Sequence, residues 1–538
     1  MSSVDMLYVS AESLPLFTET RNRFHPMHMK PIKTLLFAVI AISLNQAPLL
    51  AETSKPNILI ILTDDVGLLN IGAYHRGLMS SKTPNIDSIA KEGMLFTDYY
   101  AQPTCTAGRS AMITGQFPVR TGMHTVGLPG DPIGLSPDTP TLPELLKELG
   151  YRTGQFGKNH LGDRDEFLPT MHGFDEFWGW LYHLNAMEYT SDPEFPKGEE
   201  AAQFAPRNVV HCWSTGEGTQ KIIDDGPLPP ERMKTLDDEV NKHTLKFIRD
   251  SVAKKEPFFV WHCPSRAHVW THLSPKYEAM LGQDGQGLQE VVMRDLDDHV
   301  GEVLDELDTL GVAENTIVIF SADNGPEIMT WPDGGMTPFK SEKGTTWEGG
   351  VRVPMLLRWP GKVEQGSINN GIIDSMDLLP TLVAAAGGPE DLKQQMLTGY
   401  NGHKAHLDGY NQIPMLTGAG ESNRKEIIYY ERTTLQAVRY GDWKAHFIVQ
   451  NEGWSGAKEE LTAPLLFNLR QDPLERAAEE SGMYIEWMGK KMWAFGPAQR
   501  IVQKHLKTFA DWPPASKAAA KNSESLDEKL ESTGGVGQ

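Results

Sequence analysis

The amino-acid sequence predicts an α/β protein: a mostly parallel sheet sandwiched by helices, with a smaller C-terminal α+β unit containing a short antiparallel sheet. Three observations lead there. Continuous apolar, β-branched runs at Asn57–Thr63 (NILIILT) and 316–320 (TIVIF) read as strands buried on both faces. Segments of helical periodicity alternate with such runs, the pattern of a parallel sheet with helical crossovers. Beyond residue 424 the texture changes to short, closely spaced strand signals, which suits an antiparallel sheet. The chain has 538 residues, 40% of them apolar and 22% charged, enough for one large core and an appendage.

In chain order, Asn57–Thr63 is the first buried strand. Thr83-Pro84 opens a helix with a capping residue before a proline at the first helical position, and Gly93 closes it. Residues 141–149 repeat the pattern and stop at Gly150. Residues 233–252 carry apolar side chains near helical spacing and lead into a strand at 257–261. Leu288, Val292, Leu296, Val300, Val303, Leu307 and Leu310 form one amphipathic stripe, and the strand 316–320 follows. A Gly-, Pro- and polar-rich stretch at 388–424 precedes three short strands at 427–430, 436–440 and Trp443–Val449. The expected organisation is a catalytic domain over 52–424, a C-terminal subdomain over 425–512 and a disordered tail over 513–538, rich in Ala, Lys, Ser, Glu and Gly.

Composition narrows the function. A net charge of −21 argues against bulk nucleic-acid binding, whose affinity rests on cationic surface. Three cysteines cannot all pair within the chain, so this is no disulfide scaffold. Lys30 and Lys33 precede the apolar run 34–44, and small residues follow to Ala51. That is the layout of a signal peptide over 1–51, with Met27 or Met29 as a possible true start. The run is shorter than a membrane span needs. The expectation is an exported chain, periplasmic or secreted, with no stable membrane span after cleavage; an uncleaved anchor is the alternative.

The residues with chemistry stand where buried strands end. Asp64 and Asp65 follow the first strand, and Asp323 and Asn324 follow 316–320 after a two-residue step. Ligands of open α/β sheets bind beyond the carboxyl ends of strands, so the two clusters can share one crevice. Either pair alone reads as well as a cap on the next turn. Together they favour a hard cation such as Ca²⁺ or Mg²⁺, without which the carboxylates would repel. Cys105 sits near the N-terminus of the short helix implied by 107–114, where free N–H groups and the dipole would lower a thiol's pKa. A buried, inert thiol is the commoner fate of a lone cysteine, but Arg109 lies one helical turn on.

Cys105-Thr106-Ala107-Gly108-Arg109, with Thr114-Gly115 beyond, resembles the Cys-x-Pro/Ala-x-Arg signature of the type I, formylglycine-dependent sulfatases of the alkaline phosphatase superfamily. Segments 56–65, 83–93, 157–162, 322–325 and 343–354 are similar to that family in the same order, over about residues 56–386, with weaker likeness at 465–473. The resemblance implies an alkaline-phosphatase-like fold and a cysteine oxidised to formylglycine by a formylglycine-generating or equivalent maturation enzyme. It implies Asp64, Asp65, Asp323, Asn324 and the modified Cys105 as ligands of one divalent cation, usually Ca²⁺, with Mg²⁺ the alternative. Arg109 and Lys158 would hold the formylglycine hydrate, His160 would deprotonate it, and Lys343 would bind sulfate beside the leaving oxygen. A leaving-group histidine is expected after the strand 257–261; His268 fits best and His272 is the second choice.

The implied reaction is hydrolysis of an aryl or carbohydrate sulfate ester. The hydrate attacks sulfur, a covalent sulfo-enzyme forms, and sulfate is then eliminated. A phosphodiesterase or phosphonate monoester hydrolase of the same superfamily is a second reading, and a non-catalytic carbohydrate-binding protein a third. Ala107-Gly108 and Asn159 depart from the commoner Pro-Ser and Trp of the family without touching a catalytic group. Cys263-Pro264-Ser265-Arg266 looks like a second signature, but its arginine is one position early; Cys212 and Cys263 are left as an optional pair. Trp178, Trp180 and Tyr182 are either a sugar platform or core. Specificity is expected in the loops 163–232 and 326–342 and in the C-terminal unit.

Overall fold

The computed structural model describes residues 55–513 except Leu128, Gly334, Gly335 and Trp454. The leader expected over 1–51 and, beyond Pro513, the tail expected over 513–538 lie outside the described residues. In chain order the strands are β1 Asn57–Thr63, β2 Met94–Phe96, β3 Tyr99–Tyr100, β4 Arg152–Lys158, β5 Glu176–Trp180, β6 Val210–Gly216, β7 Thr219–Asp224, β8 Phe258–Cys263, β9 Thr316–Ala322, β10 Met355–Arg358, β11 Ser367–Asn369, β12 Ile373–Asp374, β13 Glu426–Glu431, β14 Thr434–Tyr440, β15 Trp443–Val449 and β16 Glu459–Asn468.

Ten of them form one sheet in the order β11-β2-β10-β9-β1-β8-β4-β5-β6-β7. Its centre, β9-β1-β8-β4-β5, is parallel throughout. The apolar runs sit there because only a strand with a layer on each face can bury every side chain, and every residue of β1, β8 and β9 is buried. One group of helices, Pro84–Lys91, Leu236–Lys254 and Leu288–Thr309, packs on the sheet and on one another. Cys105–Thr114, Leu142–Glu148 and Leu378–Ala385 form a second group. The stripe of Leu288–Thr309 buries Val292, Leu296, Val300, Val303 and Leu307 completely, while Leu288 at its start is 40% exposed.

Local chemistry explains the helix ends. Thr141 and Glu144 form a reciprocal capping box around the start of Leu142–Glu148. Thr83 stands at the expected cap of Pro84–Lys91, but its hydroxyl donates to the Asp87 carboxylate and accepts from the Gly72 N–H instead of capping a backbone N–H of its own helix. The region 163–232 is not simply loop: β5, β6 and β7 extend the sheet by a parallel strand and an antiparallel hairpin. Trp178 and Trp180 are fully buried and Tyr182 nearly so, which makes them core. Cys212 and Cys263 are free. β6 and β8 are three strands apart, about 14 Å at ~4.8 Å per strand, beyond disulfide reach.

β13–β16 form a separate four-stranded antiparallel sheet, with the helix Phe495–Asp511 packed against β14. Buried ion pairs join it to the rest: Lys444 to Glu348 at 2.9 Å and Arg439 to Asp98 at 2.7 Å. No helix among the described residues is long and apolar enough to cross a membrane.

Candidate active site

Because the central strands share a direction, their carboxyl ends open on one edge. Thr63 pairs with Ala322 in the β1–β9 register, which sets Asp64 and Asp323 side by side one residue further on. Lys158 ends β4, and His160 and His268 lie in the turns after β4 and β8. Asp65 and His160 both adopt left-handed backbone (φ +59° and +64°), a region that non-glycine residues use sparingly. Gly157 has φ +106°, and a Cβ there would meet the Cys263 carbonyl oxygen at 1.9 Å, so only glycine lets β4 deliver Lys158 this close to β8.

Cys105 is the first residue of its helix and 2% exposed, and Arg109, one turn on, is fully buried. Arg109 donates from Nε to Asp323 Oδ2 at 2.8 Å and from Nη1 to the Lys158 carbonyl at 3.0 Å, and its Nη2 forms an ion pair with the same Asp323 oxygen at 2.8 Å. Lys158 Nζ donates to Asp64 Oδ2 at 2.5 Å. Lys343 Nζ sits between Asp65 Oδ1 (2.8 Å) and Glu327 Oε1 (2.7 Å). Asn324 Nδ2 donates to Asp65 Oδ1 at 2.6 Å. His268 Nε2 faces Asp65 Oδ2 at 3.8 Å, and its Nδ1–H donates to the Val269 carbonyl at 2.6 Å. The Thr106 hydroxyl donates to the His160 carbonyl, while neither ring nitrogen of His160 has a partner.

These contacts govern protonation. Burial pushes Asp64 up, but Lys158, His268 and Arg109 hold it well below the usual carboxylate range. Asp323 is raised, by burial first and then by the Asp64 charge. Lys158 and Lys343 rise against their burial because Asp64 and Asp65 stand beside them. Burial chiefly lowers both His160 and His268, the latter to about 4, so both rings are neutral near pH 7. The sequence expectation of an acidified Cys105 fails: burial and then Asp64 push the thiol up, outweighing the helix terminus.

The donor set fits a hard cation. Asp64 Oδ1, Asp323 Oδ1 and Asn324 Oδ1 are buried without a hydrogen-bond partner. Ligand atoms of Asp64, Asp65, Cys105 and Asp323 lie within 4.8 Å of one another. Each orphaned polar group costs about 1–3 kcal/mol, so three at one point call for a shared partner, and oxygen donors suit Ca²⁺ or Mg²⁺.

Asp64, Asp65, Cys105, Arg109, Lys158, His160, His268, Asp323, Asn324 and Lys343 gather at this edge, whereas Nε2 of His272 makes a short hydrogen bond to Glu188. Sequence reasoning missed two neighbours. The His183 ring lies between those of His160 (5.7 Å) and His268 (6.3 Å), and burial first, then Lys158, lowers it to about 3. It follows β5 as Asp64 follows β1, so the strand-end rule could have found it. Glu327 holds Lys343 and lies three residues after Asn324.

Residues 56–388 match the Sulfatase family, and residues 422–524 match the C-terminal region of aryl-sulfatase. The chain is 32% identical to N-acetylgalactosamine-6-sulfatase of Canis lupus familiaris, over 85% of this chain and 87% of that protein. It is 35% identical to arylsulfatase A of Bos taurus, over 81% and 86% respectively. The crystal structure of PsFucS1 sulfatase from Pseudoalteromonas sp. superposes with a TM-score of 0.75 at 31% identity, covering 86% of this chain and 92% of that one.

Proposed function

The chain belongs to the sulfatase family and is a sulfuric ester hydrolase, and we propose that it cleaves aryl or carbohydrate sulfate esters at the strand-end cluster around Cys105. The observation that supports this most is the meeting of three partnerless buried oxygens with three buried cations, Arg109, Lys158 and Lys343, beside Cys105. Asp64, Asp65, Asp323 and Asn324, with residue 105, would hold Ca²⁺, or Mg²⁺ in its place; such an ion supplies charge stabilisation to sulfate oxygens. Formylglycine, made from Cys105 by a maturation enzyme, supplies as its hydrate one hydroxyl to attack sulfur and a second whose deprotonation expels sulfate.

The chain's own residues do the rest. Arg109 fixes the Asp323 carboxylate and the end of β4, so Lys158 and Asp64 keep their places. Lys158 and Lys343 present fixed positive charge where the sulfate oxygens gain negative charge. Nδ1–H of His268 is committed to the Val269 carbonyl, leaving Nε2 to carry the proton for the leaving oxygen; an approaching anionic ester favours its protonation. His160, neutral and with both ring nitrogens free, is placed to accept the proton of the second hydroxyl.

The relatives' names, which include both an arylsulfatase and an aminosugar sulfatase, support these two substrate types. A net charge of −21 repels dense polyanions at long range, which favours small or sparsely sulfated esters. The signal peptide expected over residues 1–51 supports a periplasmic or secreted location. A matched pair of nitrophenyl sulfate and nitrophenyl phosphate tests the reading: kcat/KM is expected to favour the sulfate by orders of magnitude and to vanish in Cys105→Ala. A preference for the phosphate would instead support the phosphoester hydrolase reading.

A further inference from the structure

A second set of metal-ligating side chains lies away from the catalytic edge. Glu176 opens β5, His211 lies in β6, and His243 lies in the helix Leu236–Lys254. Glu176 pairs with Gly154 in the β4–β5 register and Trp180 with Lys158, so Glu176 is four residues, about 13 Å along the strand, from the catalytic end. His211 pairs with Trp178 across β5–β6, which puts Glu176, Trp178, His211 and Trp213 on one face of the sheet. His243 reaches that face from the helix, and its ring stacks on Trp178 at 4.6 Å and 11°.

One ligand atom from each of Glu176, His211 and His243 lies within 4.8 Å of the other two. His211 Nε2 is 2.9 Å from Glu176 Oε1, and His243 Nδ1 is buried with no hydrogen-bond partner. The surroundings hold the set in place. Trp178 Nε1–H donates to Asp225 at 2.9 Å, and Arg232 pairs with Asp225 at 2.9 Å, which fixes the indole under His243. Arg152 stands 3.6 Å from the other oxygen of Glu176, so that carboxylate keeps one oxygen for a ligand and one for its guanidinium. His243 thus brings a second imidazole to the set, and its Nδ1 is not used for hydrogen bonding.

We propose that Glu176, His211 and His243 form a zinc site separate from the catalytic cluster. Two imidazoles and one carboxylate are a zinc donor set, with a fourth position open to water. Tetrahedral ligands about 2.0–2.1 Å from zinc are about 3.4 Å apart, so closing the site takes side-chain shifts of about 1 Å. Binding uses the lone pair of His211 Nε2, so the proton it shares with Glu176 moves to Nδ1. No redox change or co-reactant is involved.

The full-length protein, saturated with Ca²⁺ to fill the catalytic cluster, is titrated with Zn²⁺ by calorimetry, and with Co²⁺ as a spectroscopic stand-in. One Zn²⁺ per chain is expected in the wild type and in Asp323→Asn. Stoichiometric binding should be lost in His211→Ala and His243→Ala, with sulfate-ester turnover retained as the check on folding. Glu176→Gln, which keeps a hydrogen bond to His211, should weaken binding at least about tenfold and abolish the Zn²⁺-induced rise in Tm. Absence of stoichiometric Zn²⁺ binding in the wild type, or wild-type binding in the Glu176→Gln or histidine variants, would overturn the assignment.

Discussion

Every cation of the proposed catalytic cluster has its own carboxylate, so single substitutions should have separable effects. Arg109 gives Asp323 one N–H and a second guanidinium nitrogen in ion-pair range, and gives the Lys158 carbonyl another N–H, a fork no lysine can match. Arg109→Lys is therefore expected to lower kcat/KM about 100-fold, the scale of one lost preorganised donor. His268→Ala should slow alkyl sulfates far more than nitrophenyl sulfate, because only the poorer leaving group depends on a proton. His272→Ala should leave both rates near wild type, since His272 is occupied with Glu188; the larger loss falling on His272→Ala would exchange their roles. Protonation supplies another test. The folded, ion-free chain raises Asp323, so that carboxyl favours the folded state only when protonated and costs stability as pH rises through its raised pKa. A cation relieves this cost only where Asp323 is ionised, so the Ca²⁺-induced rise in Tm should be larger at about pH 8 than at about pH 5. An increase independent of pH would contradict this. At this scale the sequence was legible where ligands are contiguous, as in Asp64-Asp65 and Asp323-Asn324. Glu176, His211 and His243 were not legible, because three distant segments meet only through strand pairing and helix packing. The Cys105 pKa was misread because a helix terminus is visible in sequence and burial is not.

Elements were read well where burial is symmetric. β1, β8 and β9 show as apolar runs since they have cover on both faces. The hairpin β6–β7 escaped, being a partly exposed sheet edge whose β7 is TQKIID, with no apolar face to betray it. β16 (EELTAPLLFN) escaped for the same reason over its exposed first half. Gly157 shows how an element aims a side chain. Gly157→Ala puts a methyl group against the Cys263 carbonyl and forces a left-handed conformation on alanine. It should cost roughly 1–3 kcal/mol in backbone strain, more with the clash, and should lower activity by displacing Lys158. Denaturant midpoints and nitrophenyl sulfate turnover measure the two effects; an alanine variant with wild-type values for both would refute the role given to this glycine.

Across the whole molecule, the described residues fall in one compact unit, and the C-terminal sheet is fastened to the larger part by buried charge. Lys444 is fully buried between Glu348 (2.9 Å) and Glu475 (3.0 Å), and Glu475 also accepts from the Glu348 backbone N–H. Glu348 lies just beyond Lys343, the proposed sulfate-binding lysine, so the sheet braces the segment that presents it. Lys444→Met should cost about 3–5 kcal/mol by taking from two buried carboxylates the one cation they share, with Arg352 left beside Glu348 and His446 beside Glu475. Thermal unfolding should show one lowered transition; a separate early melt of the C-terminal sheet would show that the two parts are not fastened together. The cysteine count takes its meaning at this scale too. Cys212 and Cys263 are buried thiols on separate strands, Cys263 near Arg109, and of the three only Cys105 shares a metal-type ligand group with Asp64, Asp65 and Asp323. The central claim thus rests on what Cys105 becomes. Mass spectrometry of the Cys105 peptide, from protein of measured specific activity, tests it most directly. Formylglycine at residue 105, in proportion to activity across preparations, is the predicted result. A fully active preparation carrying only the unmodified thiol would contradict it.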